Sequence, residues 1–157
     1  MLDATEITHT EAQPAATIRL TIPRDQIQTV MGPAMQEVLE VVATQGLVPA
    51  GPMFSHHFRM DPELFDFEVG LPVQGAVAPA GRVRASELPA RKVARTTYHG
   101  GYEGLGSAWS EFNQRLSAEG LAPTEELWEC YVTGSEPGLD PSTIRTVLYR
   151  PLEDEGD

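Results

Sequence analysis

Glu129 lies between aromatic residues in Trp128-Glu129-Cys130-Tyr131, and a second aromatic segment closes on Val147-Leu148-Tyr149. A carboxylate framed by indole and phenol rings can pair with an organic cation, or it can orient and deprotonate a water; a nearby phenol can donate a hydrogen bond to a carbonyl oxygen that gains charge. Phe65-Asp66-Phe67-Glu68-Val69 repeats the association of acid and ring in the first half of the chain. Other residue types argue against other chemistries. His56 and His57 are adjacent, so on a strand they point to opposite faces, and no third ligand is spaced to join them; no metal is expected. Gly100-Gly101-Tyr102-Glu103-Gly104-Leu105-Gly106 lacks dinucleotide or P-loop spacing, and Glu103 would repel a phosphate, so it reads as a helix entry and no cofactor is expected. Cys130 is the only cysteine, which excludes an intrachain disulfide.

Regular elements must hold these side chains. Ile18, Leu20 and Ile22 alternate with Thr17, Arg19 and Thr21, the period of a strand with one buried face. Pro33 suits a first helical position, and Ala34, Met35, Val38, Leu39 and Val42 follow at helical spacing until Gly46. Strands are expected over 53–59 and 64–71, joined by Asp61-Pro62, with a connection over 73–80. A second series follows: short strands over 82–87 and 91–98, an amphipathic helix with the stripe Tyr102, Leu105, Trp109, Phe112 and Leu116, then strands over 127–133 and 144–150. Shifting the first half by 74 positions lays Gly32, Ala34, Glu37, Gly46, Leu47 and Pro49 on Gly106, Ala108, Glu111, Gly120, Leu121 and Pro123. The expectation is an α+β fold of two β-α-β-β units related by a pseudo-twofold axis, with the helices on one face and a ligand groove on the other.

The bulk properties limit the partners. Eleven Lys and Arg against 23 Asp and Glu give a net charge of −12 in 157 residues, without a basic cluster, which disfavours nucleic acid and anionic membranes. No apolar run approaches the roughly 20 residues of a membrane span, and the opening Met1-Leu2-Asp3-Ala4-Thr5-Glu6 has no basic head or apolar run, so the expected location is cytoplasmic. Residues 1–13 read as a flexible segment, 14–152 as the domain (repeats at about 14–80 and 81–152), and 153–157 as an acidic tail.

Tyr98-His99-Gly100-Gly101-Tyr102-Glu103-Gly104-Leu105, Glu119-Gly120-Leu121-Ala122-Pro123, Trp128-Glu129-Cys130-Tyr131, Arg145-Thr146-Val147-Leu148-Tyr149-Arg150-Pro151 and the acidic strand at Phe65–Val73 occur in an order and spacing that resembles the GyrI-like family. This is the effector-binding domain also found fused to DNA-binding heads in AraC-type and MerR-type regulators. No helix-turn-helix pattern precedes Pro14, so the expectation is the free-standing form, unable to read DNA by itself. The resemblance implies a cleft between the repeats that takes a drug or metabolite. Where the family often carries Glu two residues before the last-strand Tyr, this chain has Val147.

Strand alternation then sorts the side chains. Trp128, Cys130 and Val132 are assigned to the core face, and Glu129, Tyr131 and Thr133 to the groove; Ile144, Thr146 and Leu148 oppose Arg145, Val147 and Tyr149; Phe67, Val69 and Leu71 oppose Asp66, Glu68 and Gly70. The expected ligand contacts are Glu68, Glu129, Tyr131, Val147 and Tyr149, with Asp66 nearer the mouth, His57 beside Ser55 on the groove side, and an edge of Trp128. Phe54 and Trp109 read as core. Three functions are then open: binding of hydrophobic, aromatic or cationic small molecules for sensing, sequestration or toxin resistance; hydrolysis that opens cyclopropane rings of DNA-alkylating natural products, which the resemblance implies because some free-standing GyrI-like proteins do this, with Glu129, Tyr131 and Tyr149 as catalytic groups; or, from the family's name and the acidic surface, inhibition of a larger protein partner such as gyrase.

Overall fold

The structure, a computed structural model, describes residues 2–60, 63–101, 104–133 and 145–153, and divides into two compact units, Glu11–Ala90 and Met1–Thr10 with Arg91–Asp157. In the first unit β2 (Gln13–Pro23), α1 (Ile27–Thr44), β4 (Phe54–Met60) and β5 (Leu64–Gln74) form the expected β-α-β-β order, with a short β3 (Val48–Pro49) against β5 and an edge strand β6 (Arg84–Leu88). The second unit repeats it with β7 (Lys92–His99), α2 (Leu105–Ala118), β8 (Leu127–Thr133) and β9 (Arg145–Pro151). Strand pairing matches as well: β4-β5-β2-β6 in one unit and β8-β9-β7-β1 in the other, all antiparallel, with β1 formed by Glu6–His9. Among the described residues, no helix is long and apolar enough to cross a membrane.

Each helix reaches its sheet through side chains four residues apart: Ala34, Val38 and Val42 from α1, and Ala108, Phe112 and Leu116 from α2, all buried. Under α1 lie Ile18, Leu20, Phe67 and Val69; under α2 lie Ala94, Tyr98 and Leu148. Both helices end alike. Gly46 and Gly120 take φ of +67° and +72°, a conformation that costs a Cβ-bearing residue, and the following Leu47 and Leu121 return N–H bonds to Val42 and Leu116 carbonyls. The repeated Gly-Leu-x-Pro fragment in the sequence is therefore a helix stop used twice.

Three expectations need correction. Pro33 lies inside α1, because Val30 and Met31, upstream of it, continue the stripe onto the core and their burial offsets one missing backbone hydrogen bond. Residues 1–13 do not stay outside the domain: Glu6 to His9 pair with Arg95 to Lys92, Leu2 bridges to Tyr98, and β2 starts at Gln13. The boundary between units also shifts, since β6 pairs with β2 in the first unit, whereas the equivalent edge of the second is supplied by β1. Asp61, Pro62, Tyr102, Glu103, Ile144 and the expected turn over 134–143 lie outside the described residues.

Gly70 shows how tightly the first sheet is packed. A Cβ there would stand 2.6 Å from Thr17 Cγ2, 2.8 Å from the Ala16 carbonyl oxygen and 2.8 Å from Phe54 Cζ. Gly70→Ala should cost about 1–3 kcal/mol by overpacking and lower Tm by several degrees. Gly106→Ala, exposed in α2 with nothing within 4 Å of the added carbon, should instead raise stability by about 0.5–1 kcal/mol. Thermal melts of both variants check the pair.

Candidate functional site

Directly paired residues of an antiparallel sheet point to the same side, so the registers together with the helix contacts assign every side chain to a helix face or to its reverse. Leu148 packs under α2, and Glu129 pairs with Leu148 and Tyr131 with Thr146, which puts Glu129 and Tyr131 on the helix face. Trp128 pairs with Tyr149 and Cys130 with Val147, which puts these four on the reverse face. In the first unit, Ser55 and His57 pair with Val69 and Phe67 on the helix face, while Phe54 and His56 pair with Gly70 and Glu68 on the reverse.

The expected ligand set is therefore divided. Glu129, Tyr131 and His57 lie on helix faces; Glu68, Asp66, Val147, Tyr149 and Trp128 lie on reverse faces. Trp128 and Cys130 are not under the helix, and Val132 is 43% exposed because β8 bulges between Tyr131 and Thr133. His57 stacks on Phe67 at 4.9 Å between ring centroids, as a core side chain would. Tyr149 cannot work with Glu129, since the strand sends them to opposite sides.

On the helix face of the second unit a small polar site is assembled. Glu129 is 7% exposed; its Oε1 accepts a 2.8 Å bond from the Tyr131 hydroxyl, and its Oε2 accepts the indole N–H of Trp109. Trp109 was not expected here, although a half-buried indole needs an acceptor and its place on the helical stripe beside Phe112 carried that signal. The two donors fix both carboxylate oxygens in place. Nearby, Arg150 donates to the Thr124 carbonyl at 2.7 and 3.0 Å and to Asn113 Oδ1 at 3.0 Å, which ties α2 to the last strand.

The sequence profile of the GyrI-like small molecule binding domain matches residues 4–153. The chain belongs to this family. Its fold is that of the EcmrR C-terminal domain, with a TM-score of 0.82 at 18% identity over 97% of this chain and 98% of the other. SAV2435, solved bound to tetraphenylphosphonium, is similar at a TM-score of 0.68 and 10% identity, over 96% of this chain and 94% of that one. A hydrolase from Listeria innocua is similar at 0.59 and 12%, over 95% and 91%. No curated protein sequence matches the chain.

The reverse face of this GyrI-like chain's second unit has a different character. Trp128 stacks on Tyr149 with centroids 5.3 Å apart, and Asp3, Glu6, Arg95, Thr97, Val147 and Tyr149 line a cavity of about 200 Å³, so the N-terminal strand supplies part of its wall. Arg95 pairs with Glu6 at 2.6 Å. Burial and the neighbouring Cys130 hold the Tyr149 phenol above its ordinary range, against the opposing bond from Arg95. Burial, with a smaller push from the Glu129 charge, moves the Cys130 thiol up to about 12 from 9.0. Such a thiol is a poor nucleophile: at pH 8 a shift of this size lowers the thiolate fraction about a thousandfold. Native protein should react with a thiol-specific disulfide reagent at least a hundredfold more slowly than protein in denaturant, and comparable rates would contradict the buried placement.

Proposed function

We propose that the protein binds small hydrophobic or aromatic molecules, cations among them, against Glu129, Tyr131 and Trp109, as a sensor, sequestering protein or resistance factor. The observation that carries this reading is the buried Glu129 carboxylate held by two aromatic donors. An organic cation entering beside a buried carboxylate gains an ion pair in a poorly screened site together with contact to the aromatic side chains around it. The tetraphenylphosphonium found with SAV2435 is a ligand of this type. Val147 leaves the reverse face without a carboxylate at that position, which also favours the helix face of this unit.

Titration with tetraphenylphosphonium tests the reading. Glu129→Gln keeps the shape and removes the charge, so affinity should fall about tenfold or more, equivalent to about 1.4 kcal/mol, while Tyr149→Phe should change it less than twofold. Loss of affinity in Tyr149→Phe with Glu129→Gln unchanged would move the site to the reverse face.

A second reading uses the same geometry. Because the Tyr131 hydroxyl bonds Glu129 at 2.8 Å, a carboxylate and a phenol meet at one point. In cyclopropane opening, Glu129 would take a proton from a water whose oxygen bonds the strained carbon; the ring carbon–carbon bond breaks and its electron pair moves to a conjugated carbonyl oxygen, to which Tyr131 turns its hydroxyl from the now protonated Glu129, and the proton on Glu129 then passes to the resulting enolate. The overall change is the addition of one water. Incubation with a cyclopropane-containing alkylator should then give multiple turnovers by mass spectrometry, abolished in Glu129→Gln; stoichiometric binding of unchanged compound would leave only the binding function.

A further inference from the structure

Thr17, Arg19, Glu68, Gly81, Arg82 and Arg84 line a cavity of about 390 Å³ in the Glu11–Ala90 unit. It lies on the reverse face, in a different unit from Glu129, and is independent of the reading above. Three of the 11 Lys and Arg in a chain of net charge −12 converge there. Arg19 is fixed: Nε and a terminal nitrogen reach Asp66 Oδ1 at 2.8 and 2.7 Å, and its guanidinium lies 4.3 Å from the Phe58 ring centroid. Arg82 is anchored through Nε to Glu37 at 3.0 Å, which leaves its terminal donors available, and the two-residue turn between Ala80 and Val83 holds its backbone. Arg84, exposed on β6, has no ion-pair partner among the described residues.

Glu68 supplies the opposite charge. Its Oε2 accepts the Thr17 hydroxyl at 3.0 Å and its Oε1 the Ser86 hydroxyl at 2.9 Å, so two neutral groups order the carboxylate and leave its charge and further lone pairs. The Glu68 carboxylate reaches across β2 to the Ser86 hydroxyl on β6, and Arg84 is the next residue of that strand on the same face, so the Arg84 and Glu68 charges stand about one same-face step apart, roughly 7 Å, with no ion pair between them. Asp66 and Glu37 offset Arg19 and Arg82, and Glu68 offsets Arg84. A site of separated but balanced charges disfavours a simple anion, which Glu68 would repel, and favours a ligand with the complementary separation.

We propose that this cavity binds a small zwitterion, with its carboxylate on the terminal groups of Arg82 and Arg84 and its protonated amine toward Glu68. A volume of this size lies within the range of small-molecule sites. The test is amide chemical-shift titration of the full chain with 6-aminohexanoate, using hexanoate and hexylamine as probes that keep one charge each. Saturable shifts of the Gly81 and Arg84 amides are expected with a Kd on the order of 1–10 mM, and at least fivefold weaker binding of each single-charge probe. Arg84→Ala, a change at an exposed position, and Glu68→Gln, which keeps the shape and one hydroxyl bond and reverses the direction of the other, should each weaken the zwitterion at least fivefold. Absence of saturable shifts at these amides, or equal affinities in both variants and the wild type, would overturn the proposal. Hexanoate binding as tightly as 6-aminohexanoate, with Glu68→Gln without effect, would overturn it in favour of a plain anion site.

Discussion

In each unit a single stripe of helix side chains decides which side of every strand is core. Ala34, Val38 and Val42 in one helix and Ala108, Phe112 and Leu116 in the other are buried against their sheets, and the alanine at the start of each stripe lets the helix approach closely. Once that contact is set, the two-residue period of the strands leaves no choice: Leu148 under α2 carries Glu129 and Tyr131 with it and sends Trp128 and Tyr149 to the other side. The chemistry of the molecule follows from this constraint. Arg150, bonded to both α2 and the Thr124 carbonyl, holds the helix in the position where Trp109 meets Glu129.

The duplication was legible because a buried stripe and a glycine stop leave marks in sequence. Gly46-Leu47 and Gly120-Leu121 close the helices with equivalent bonds, and the shift of 74 that aligns them also aligns β4 with β8, including a bulge after His57 and one after Tyr131. The faces of β8 and β4 were not legible. Alternation shows that Trp128 and Glu129 differ in side but not which of them meets the helix, and a large apolar Trp128 beside an acid suggests the wrong choice. Cross-strand register resolves it, and register is a property of two distant segments. For the same reason residues 1–13 read as a tail: a four-residue edge strand has too short a pattern to show in sequence, and its partner is 89 residues away in the Glu6–Arg95 pair.

Aligned positions in the two units have diverged in a systematic way. On the helix face Ser55, His57 and Met35 correspond to Glu129, Tyr131 and Trp109, so the first unit has none of the three groups that build the polar site in the second. On the reverse face the difference has the opposite sense. Glu68, four residues before Pro72, corresponds to Val147, four before Pro151, and Gly70, covered by the Phe54 ring, corresponds to Tyr149, stacked on Trp128. Glu68 and Glu129 are both held by hydroxyl donors, and the two are on opposite faces of their sheets.

This division limits what any one ligand can use. A carboxylate and a ring at neighbouring positions of a strand cannot touch the same small molecule, so the sequence neighbours Trp128 and Glu129 belong to different environments, whereas Trp109, 20 residues from Glu129, belongs to the same one. The environments also differ in what they do to a proton. On the reverse face, burial holds Cys130 and Tyr149 in their neutral forms, whereas on the helix face two donors hold the oxygens of a carboxylate. In the second unit the helix face therefore presents Glu129 with its two aromatic donors, while the reverse face presents stacked rings beside Asp3, Glu6 and Arg95.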